Sequence, residues 1–309
     1  MAAYALETGG KAKVTMVLRS NFAAVQQNGF TIDSIQHGHD IKQWRPSHLL
    51  QKVPDAQDAN TPTFDYIIAA TKNIPDVKPT VVDIIASAVT PGKTTIVLLQ
   101  NGLNIEKPVF ARFPTNTILS GVSLIGATET THGVIRHDDT DDCKLGPFSP
   151  PEHPSSAPSE AAETSAHRLI EAYNASGKVT WTHDPNVPFT RWRKLLYNSS
   201  FNSVSALTGG MDTPRMRMSE FVIDELVLPV MREIKAVARA AGVELPKGVE
   251  EGVVRVDPTG TEFVPSMGQD AAKVSFCLVL YVDGRFEDGV LTTVHRGISW
   301  RLRLLLGSP

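Results

Sequence analysis

Two hydrophobic rhythms divide this chain. In its first part, short runs dense in apolar and β-branched residues recur at 14–20 (VTMVLRS), 64–72 (FDYIIAATK), 94–99 (TTIVLL) and 116–125 (NTILSGVSLI). Runs of that length, bounded by turn residues, predict buried strands. Helix-like stretches separate them at 1–8, 22–29 and 77–88, with Gly9-Gly10 and Asn28-Gly29 standing where the first two would stop. Residues 30–63 alternate weakly and carry polar turns, which suits short strands and a loop, and GVIRH at 133–137 predicts another strand. A stretch rich in Pro, Ser and Glu at 149–165 predicts an exposed excursion, followed by a helix over 166–176 and a strand over 178–182. Helical spacing then takes over, in RKLLYNSSFNSVSALT at 193–208 and over 219–241, where Pro229 should kink the helix and Gly242 stops it. Alternating strands and helices followed by helices alone predict an α/β domain over 1–185 and a helical domain over 186–309.

Composition changes this picture little. With 309 residues, 41% hydrophobic and 20% charged, the chain reads as a soluble globular protein of one large or two moderate domains. A net charge of -3 gives no pull toward nucleic acid or an anionic membrane. The two cysteines, Cys143 and Cys277, lie far apart without a CxxC or Cys/His spacing, so neither a disulfide framework nor a zinc site is suggested. The longest apolar run, around 275–282, is too short to cross a bilayer, and the first residues lack the basic start and apolar core of a signal peptide. Cytoplasm is the default expectation.

Candidate chemistry gathers at four places. Lys194, Asn198 and Asn202 recur every fourth residue, which stacks them on one face of a helix whose other sides carry Leu195, Leu196, Phe201 and Val204. A polar stripe on a buried helix wants a polar ligand; on an exposed helix it is simply a solvated face. Lys72 and the Gln100-Asn101-Gly102 turn each follow a predicted strand, and open parallel sheets bind ligands at that strand edge. Taken singly, Lys72 would be a solvated lysine and the Asn-Gly pair a turn. Arg19 ends the strand before it, where Asp or Glu favours a ribose hydroxyl and Arg a 2′-phosphate; a surface arginine fits equally well. Ser266 opens the run SMGQD and would serve as a helix N-cap or as a ligand.

Taken together, KLLYNSSFNSVSALTG, the ATK ending in Lys72, QNG and SMGQD resemble the ketopantoate reductases (2-dehydropantoate 2-reductases), from residue 1 to about 270. The resemblance implies a Rossmann-like NADP-binding domain followed by an all-helical substrate domain of the 6-phosphogluconate dehydrogenase type, with the cleft between them as ligand site. It implies Lys194 as general acid, Asn198, Asn202, Ser266 and Asn101 as substrate ligands, and Arg19, Lys72 and Asn101 as cofactor ligands. The cofactor would be NADP(H), with no metal required. The reaction would be reduction of 2-dehydropantoate to (R)-pantoate in pantothenate and coenzyme A biosynthesis, on a small 2-keto acid, with no nucleic acid or membrane partner; a homodimer is compatible.

Two departures stand out. A dinucleotide-binding unit opens with a strand and a GxGxxG turn whose amides hold the pyrophosphate, and here the first helix is reached at once, as if the sequence began inside it. The first strand is therefore expected to be missing, through an incomplete chain or gene model or a paralogue that lost the loop. Near residue 278 the family has an acidic substrate ligand where this chain has Leu278, and from about 273 the resemblance ends, through a frame or splice difference or a divergent terminus. Impaired activity, a related 2-keto or 3-hydroxy acid reductase, and a catalytically silent binding or scaffold paralogue all remain open.

Overall fold

The computed structural model describes residues 1–149, 159–256 and 263–271, together with the backbone of 290–295 and 298–303. It divides into two compact units, Met1–Arg191 and Trp192–Pro309.

In the first unit the central sheet is built on β6 (Thr95–Leu98), every residue of which is buried. The strand order is β11 (Thr180–His183), β10 (Asp142–Pro147), β7 (Ile118–Ser123), β6, β5 (Tyr66–Ala69). Strands β5, β6 and β7 run parallel and β10 antiparallel to β7. Because side chains alternate across a strand, Ile96 and Leu98 point to one face and Val97 to the other. On the first face they pack with Val81 and Ile85 of α3 (Val81–Ile85) and Val109 of α4 (Glu106–Arg112). On the second, Val97 packs with Ala5 and Leu6 of α1 (Ala2–Thr8) and Leu169 and Tyr173 of α5 (Glu160–Asn174). Helices on both faces are what an apolar, non-alternating run such as TIVL requires.

The rest of the unit is in smaller pieces. Strand β1 (Thr15–Val17) pairs in parallel with β4 (His48–Leu50) alone, and a four-stranded sheet runs β3 (Gly38–Trp44), β2 (Phe30–Ser34), β9 (Val134–His137), β8 (Ala127–Thr131), with α2 (Phe22–Asn28) feeding β2. Among the described residues no ladder joins β1 to β5, so the parallel sheet is interrupted there. The interruption leaves β5 at an edge, less buried than β6, and Val17 at 36% exposure.

Three boundaries differ from the sequence reading. The helix expected over 77–88 begins only at Val81, because Thr80 caps it through a reciprocal box with Asp83. α5 starts at Glu160, ahead of the expected 166, because Ser159 accepts the Ala162 amide and caps it inside the polar stretch. The single helix expected over 219–241 is a π-helical segment, Val222–Val227, running into α8 (Leu228–Ala240). Pro229 has no N–H to give, and the hydrogen-bond ladder changes pitch just before it.

In the second unit α6 (Val187–Leu207), which begins in the first unit, is followed by α7 (Thr213–Met218), α8, α9 (Val249–Val254) and a helix at 266–271, here α10. The unit is helical through α10, as expected, and an antiparallel pair, β12 (Val290–His295) and β13 (Ile298–Arg303), stands in the tail, beyond the point near 273 where the resemblance was expected to end. No helix among the described residues is long and apolar enough to cross a membrane.

His137, which ends β9, is 1% exposed and its Nδ1 lies 2.7 Å from Ser34 Oγ, with the His37 ring 6.1 Å away. Burial holds both imidazoles below their ordinary value, His37 being lowered further by His137, while Asp141 pulls the other way on both. The unfolded chain therefore takes up these protons first as pH falls. Their contribution is complete above about pH 6.5 and is lost on acidification below it. The urea midpoint should fall between pH 7.5 and 5, less so in His137→Asn; a midpoint that stays level or rises would contradict the assignment.

Candidate active site

The parallel ladder of β5 and β6 fixes two of the candidate residues relative to each other. Ala69 is in register with Leu98, and Lys72 and Asn101 each follow three residues later. Both leave the same C-terminal sheet edge and both are exposed. Their loops are tied together by Gln100, 4% exposed, whose Nε2 donates to Thr71 O at 2.8 Å and Thr71 Oγ1 at 3.0 Å. Gly102 has φ +125°, a conformation open to glycine, and a Cβ there would lie 2.9 Å from Ile105 Cγ2. The glycine thus lets the backbone turn sharply beneath Asn101.

Behind this loop lies a buried cation. Arg191, 7% exposed, donates from Nη1 to Gln100 O and Gly102 O at 3.0 Å each, the two carbonyls that flank Asn101. Its Nη2 donates to Gly121 O at 3.2 Å and its Nε to Ser120 Oγ at 2.9 Å. Glu106, also buried, balances the charge at 2.8 Å from Nε and accepts from Ser120 Oγ. Desolvation lowers the affinity of the guanidinium for its proton and Glu106 restores part of it. Arg19 is exposed two residues beyond β1, in the smaller parallel pair, so it is not brought onto the β5–β6 edge by any ladder.

In the second unit Lys194, Asn198 and Asn202 share one face of α6, half-buried at the first two and buried at the third. Asn202 is 6% exposed, and its Nδ2 donates to Asn198 Oδ1 at 3.3 Å and approaches Ser266 Oγ at 3.5 Å. Lys194, half-buried, stands one turn before Asn198 on the same face. Ser266, exposed, is the first residue of α10. What holds α10 against α6 is a glycine, since a Cβ on Gly268 would lie 2.0 Å from Ser205 Oγ and 2.9 Å from Ser205 Cβ. Gly268→Ala should therefore push α10 off α6 and part Ser266 from Asn202, lowering the urea midpoint by an amount worth about 1–3 kcal/mol of stability. An unchanged midpoint would show that this close approach does not hold α10 in place. Leu278, and the apolar run around 275–282, lie outside the described residues.

Residues 1–150 match the family model described as ketopantoate reductase PanE/ApbA, and residues 186–275 match that of its C-terminal part. YDL144C of Saccharomyces cerevisiae, an uncharacterized protein, is 34% identical over 284 residues, spanning 84% of this chain and 76% of the yeast protein. The chain belongs to the ketopantoate reductase family. Among solved structures, 2-dehydropantoate 2-reductase from Methylococcus capsulatus is similar with a TM-score of 0.68 at 29% identity, covering 87% of this chain and 80% of that one. D-mandelate dehydrogenase, solved in a ternary complex with NADH and anilino(oxo)acetate, shares the fold at a TM-score of 0.69 and 17% identity, covering 86% and 80%. Membership of the ketopantoate reductase family places this chain among oxidoreductases, on an α/β sheet domain followed by a helical one.

The Arg191–Glu106 pair had no counterpart in the sequence reading. Arg191 precedes the stripe by one turn in TRWRK, among three basic residues with no sign of which is buried. A glutamate in the first turn of a helix, as Glu106 is, usually reads as a solvated charge favourable to the helix dipole. Only the hydrogen bonds of the Arg191 side chain to β7 and the QNG loop show otherwise.

Proposed function

We infer that this chain is an NADPH-dependent reductase of ketopantoate type, converting 2-dehydropantoate to (R)-pantoate. The observation that carries this reading is the meeting of Asn198 and Asn202, on one face of α6, with Ser266 of α10, and with Lys194 one turn away. Reduction of a 2-keto acid needs a proton for the carbonyl oxygen and donors for its carboxylate and hydroxyl. Lys194 as an ammonium stabilises the developing oxyanion and delivers the proton. Asn198 and Asn202 offer both donors and acceptors, Ser266 a hydroxyl for the carboxylate, and Asn101 an amide at the sheet edge.

NADPH, when bound, supplies the hydride. The exposed Lys72 and Asn101 on one strand edge fit a phosphate-bearing dinucleotide, and Arg19, exposed after β1, fits a 2′-phosphate. Arg19→Ala should weaken NADPH about tenfold and NADH hardly at all, read by nicotinamide fluorescence; equal losses would remove the NADP preference. The deciding titration compares this chain with a version carrying an upstream strand and glycine turn, which would give β1 and β5 a common partner. Binding by either form supports the dinucleotide reading, and binding by neither leaves a silent scaffold.

A second reading has its own support. The shared fold of D-mandelate dehydrogenase, and leucine at 278, favour a different 2-keto acid with a more apolar side chain. A panel of 2-keto acids, ranked by kcat/KM, separates the two.

A further inference from the structure

Away from the sheet edge, α5 and β11 bring three metal-ligating side chains together. Glu163 and His167 are one turn apart on α5 and so share a face. His183 ends β11, the edge strand that packs on that helix. One ligand atom from each of the three lies within 4.8 Å of the other two. The His167 and His183 rings stack with centroids 4.6 Å apart at 25°. Glu163 Oε2 lies 2.7 Å from His183 Nε2, yet that nitrogen is buried and makes no hydrogen bond. At such a distance the failure is one of direction, because no ring proton points at the oxygen. A carboxylate oxygen and an imidazole nitrogen held this close with no hydrogen bond made between them stand as two ligands of one ion would.

We propose that Glu163, His167 and His183 form a binding site for a divalent transition-metal ion of the zinc class, fastening α5 to β11. Two imidazoles and a carboxylate are the donor set that suits Zn²⁺, Co²⁺, Ni²⁺ or Cu²⁺, whereas Mg²⁺ and Ca²⁺ prefer oxygen alone. Three protein ligands leave the fourth position to water, and His167, exposed, gives the ion a path in. The ion's charge answers Glu163, and ligation replaces the unmade hydrogen bond of His183. Nothing in the sequence spacing announces this site, because its third ligand arrives from a strand beyond the helix. The site is separate from the residues proposed for reduction, which require no metal.

The test uses the full chain, stripped with EDTA and desalted, and Co²⁺ as the probe. One equivalent should raise the visible d–d bands of a four-coordinate nitrogen and oxygen site, Zn²⁺ should displace them, and Zn²⁺ should raise Tm as a ligand of the folded state does. His167→Ala, on the exposed side where folding is least at risk, should weaken Co²⁺ more than about tenfold with circular dichroism unchanged, and Glu163→Gln should do the same. Binding should also weaken on acidification, since the imidazoles must be deprotonated to ligate. Absence of the bands, bands that survive His167→Ala, or a Tm indifferent to Zn²⁺ would overturn the proposal and leave Glu163–His183 a plain ion pair.

Discussion

Lys194→Ala should lower kcat about 10²- to 10⁴-fold, the range a positioned general acid contributes, while NADPH affinity stays within about twofold because the lysine is assigned to the substrate carbonyl and not to the cofactor. The measurement is turnover of 2-dehydropantoate by whichever form binds NADPH, this chain or the one with the upstream strand. Asn202→Ala is the necessary contrast. It removes the proposed substrate donor and leaves the proposed acid in place, so its loss should fall chiefly in KM. If Lys194→Ala loses no more than Asn202→Ala, the proton comes from elsewhere, and Lys194 acts only as a positive charge near the carboxylate. Lys194→Arg separates those possibilities, because a guanidinium keeps the charge but gives up no proton near neutral pH.

How legible the site was follows from the kind of signal each part leaves. Thr95–Leu98 could be read as a central strand because a residue buried on both faces must be apolar at successive positions. The turn after it was legible for a second reason, since Gly102 takes a φ that other residues resist. The stripe on α6 was visible as a period, but whether it faced solvent was not. That depended on α10 covering Asn202, and so on Gly268 meeting Ser205, a contact no periodicity encodes. The four-stranded sheet of β3, β2, β9 and β8 left only weak alternation, because β8 and β3 are largely exposed and carry few apolar constraints. Least legible were the pairings of charge. Asp141 accepts from Tyr173 Oη at 2.7 Å and Trp181 Nε1 at 3.3 Å, and Glu106 meets Arg191, each across long stretches of sequence.

The second large effect belongs to that last pair. Arg191→Met leaves the Glu106 carboxylate buried without its cation, and breaking a buried pair from one side costs about 3–5 kcal/mol. It also strands the carbonyls of Gln100, Gly102 and Gly121, which the guanidinium now satisfies. Urea unfolding should show the full loss in the single variant. Adding Glu106→Leu removes the uncompensated charge, so most of that stability should return, as it does when a buried pair is exchanged for packed apolar groups. Activity should not return with it. The carbonyls on either side of Asn101 would still lack their donor, and a loop free to shift by an ångström costs a reaction about a hundredfold when it positions the reacting groups. A double variant as stable as the parent but slow places Arg191 as a positioning residue for Asn101. One that is both stable and fast reduces it to an ion pair in the core, with the loop held by other contacts, the Gln100–Thr71 hydrogen bonds among them.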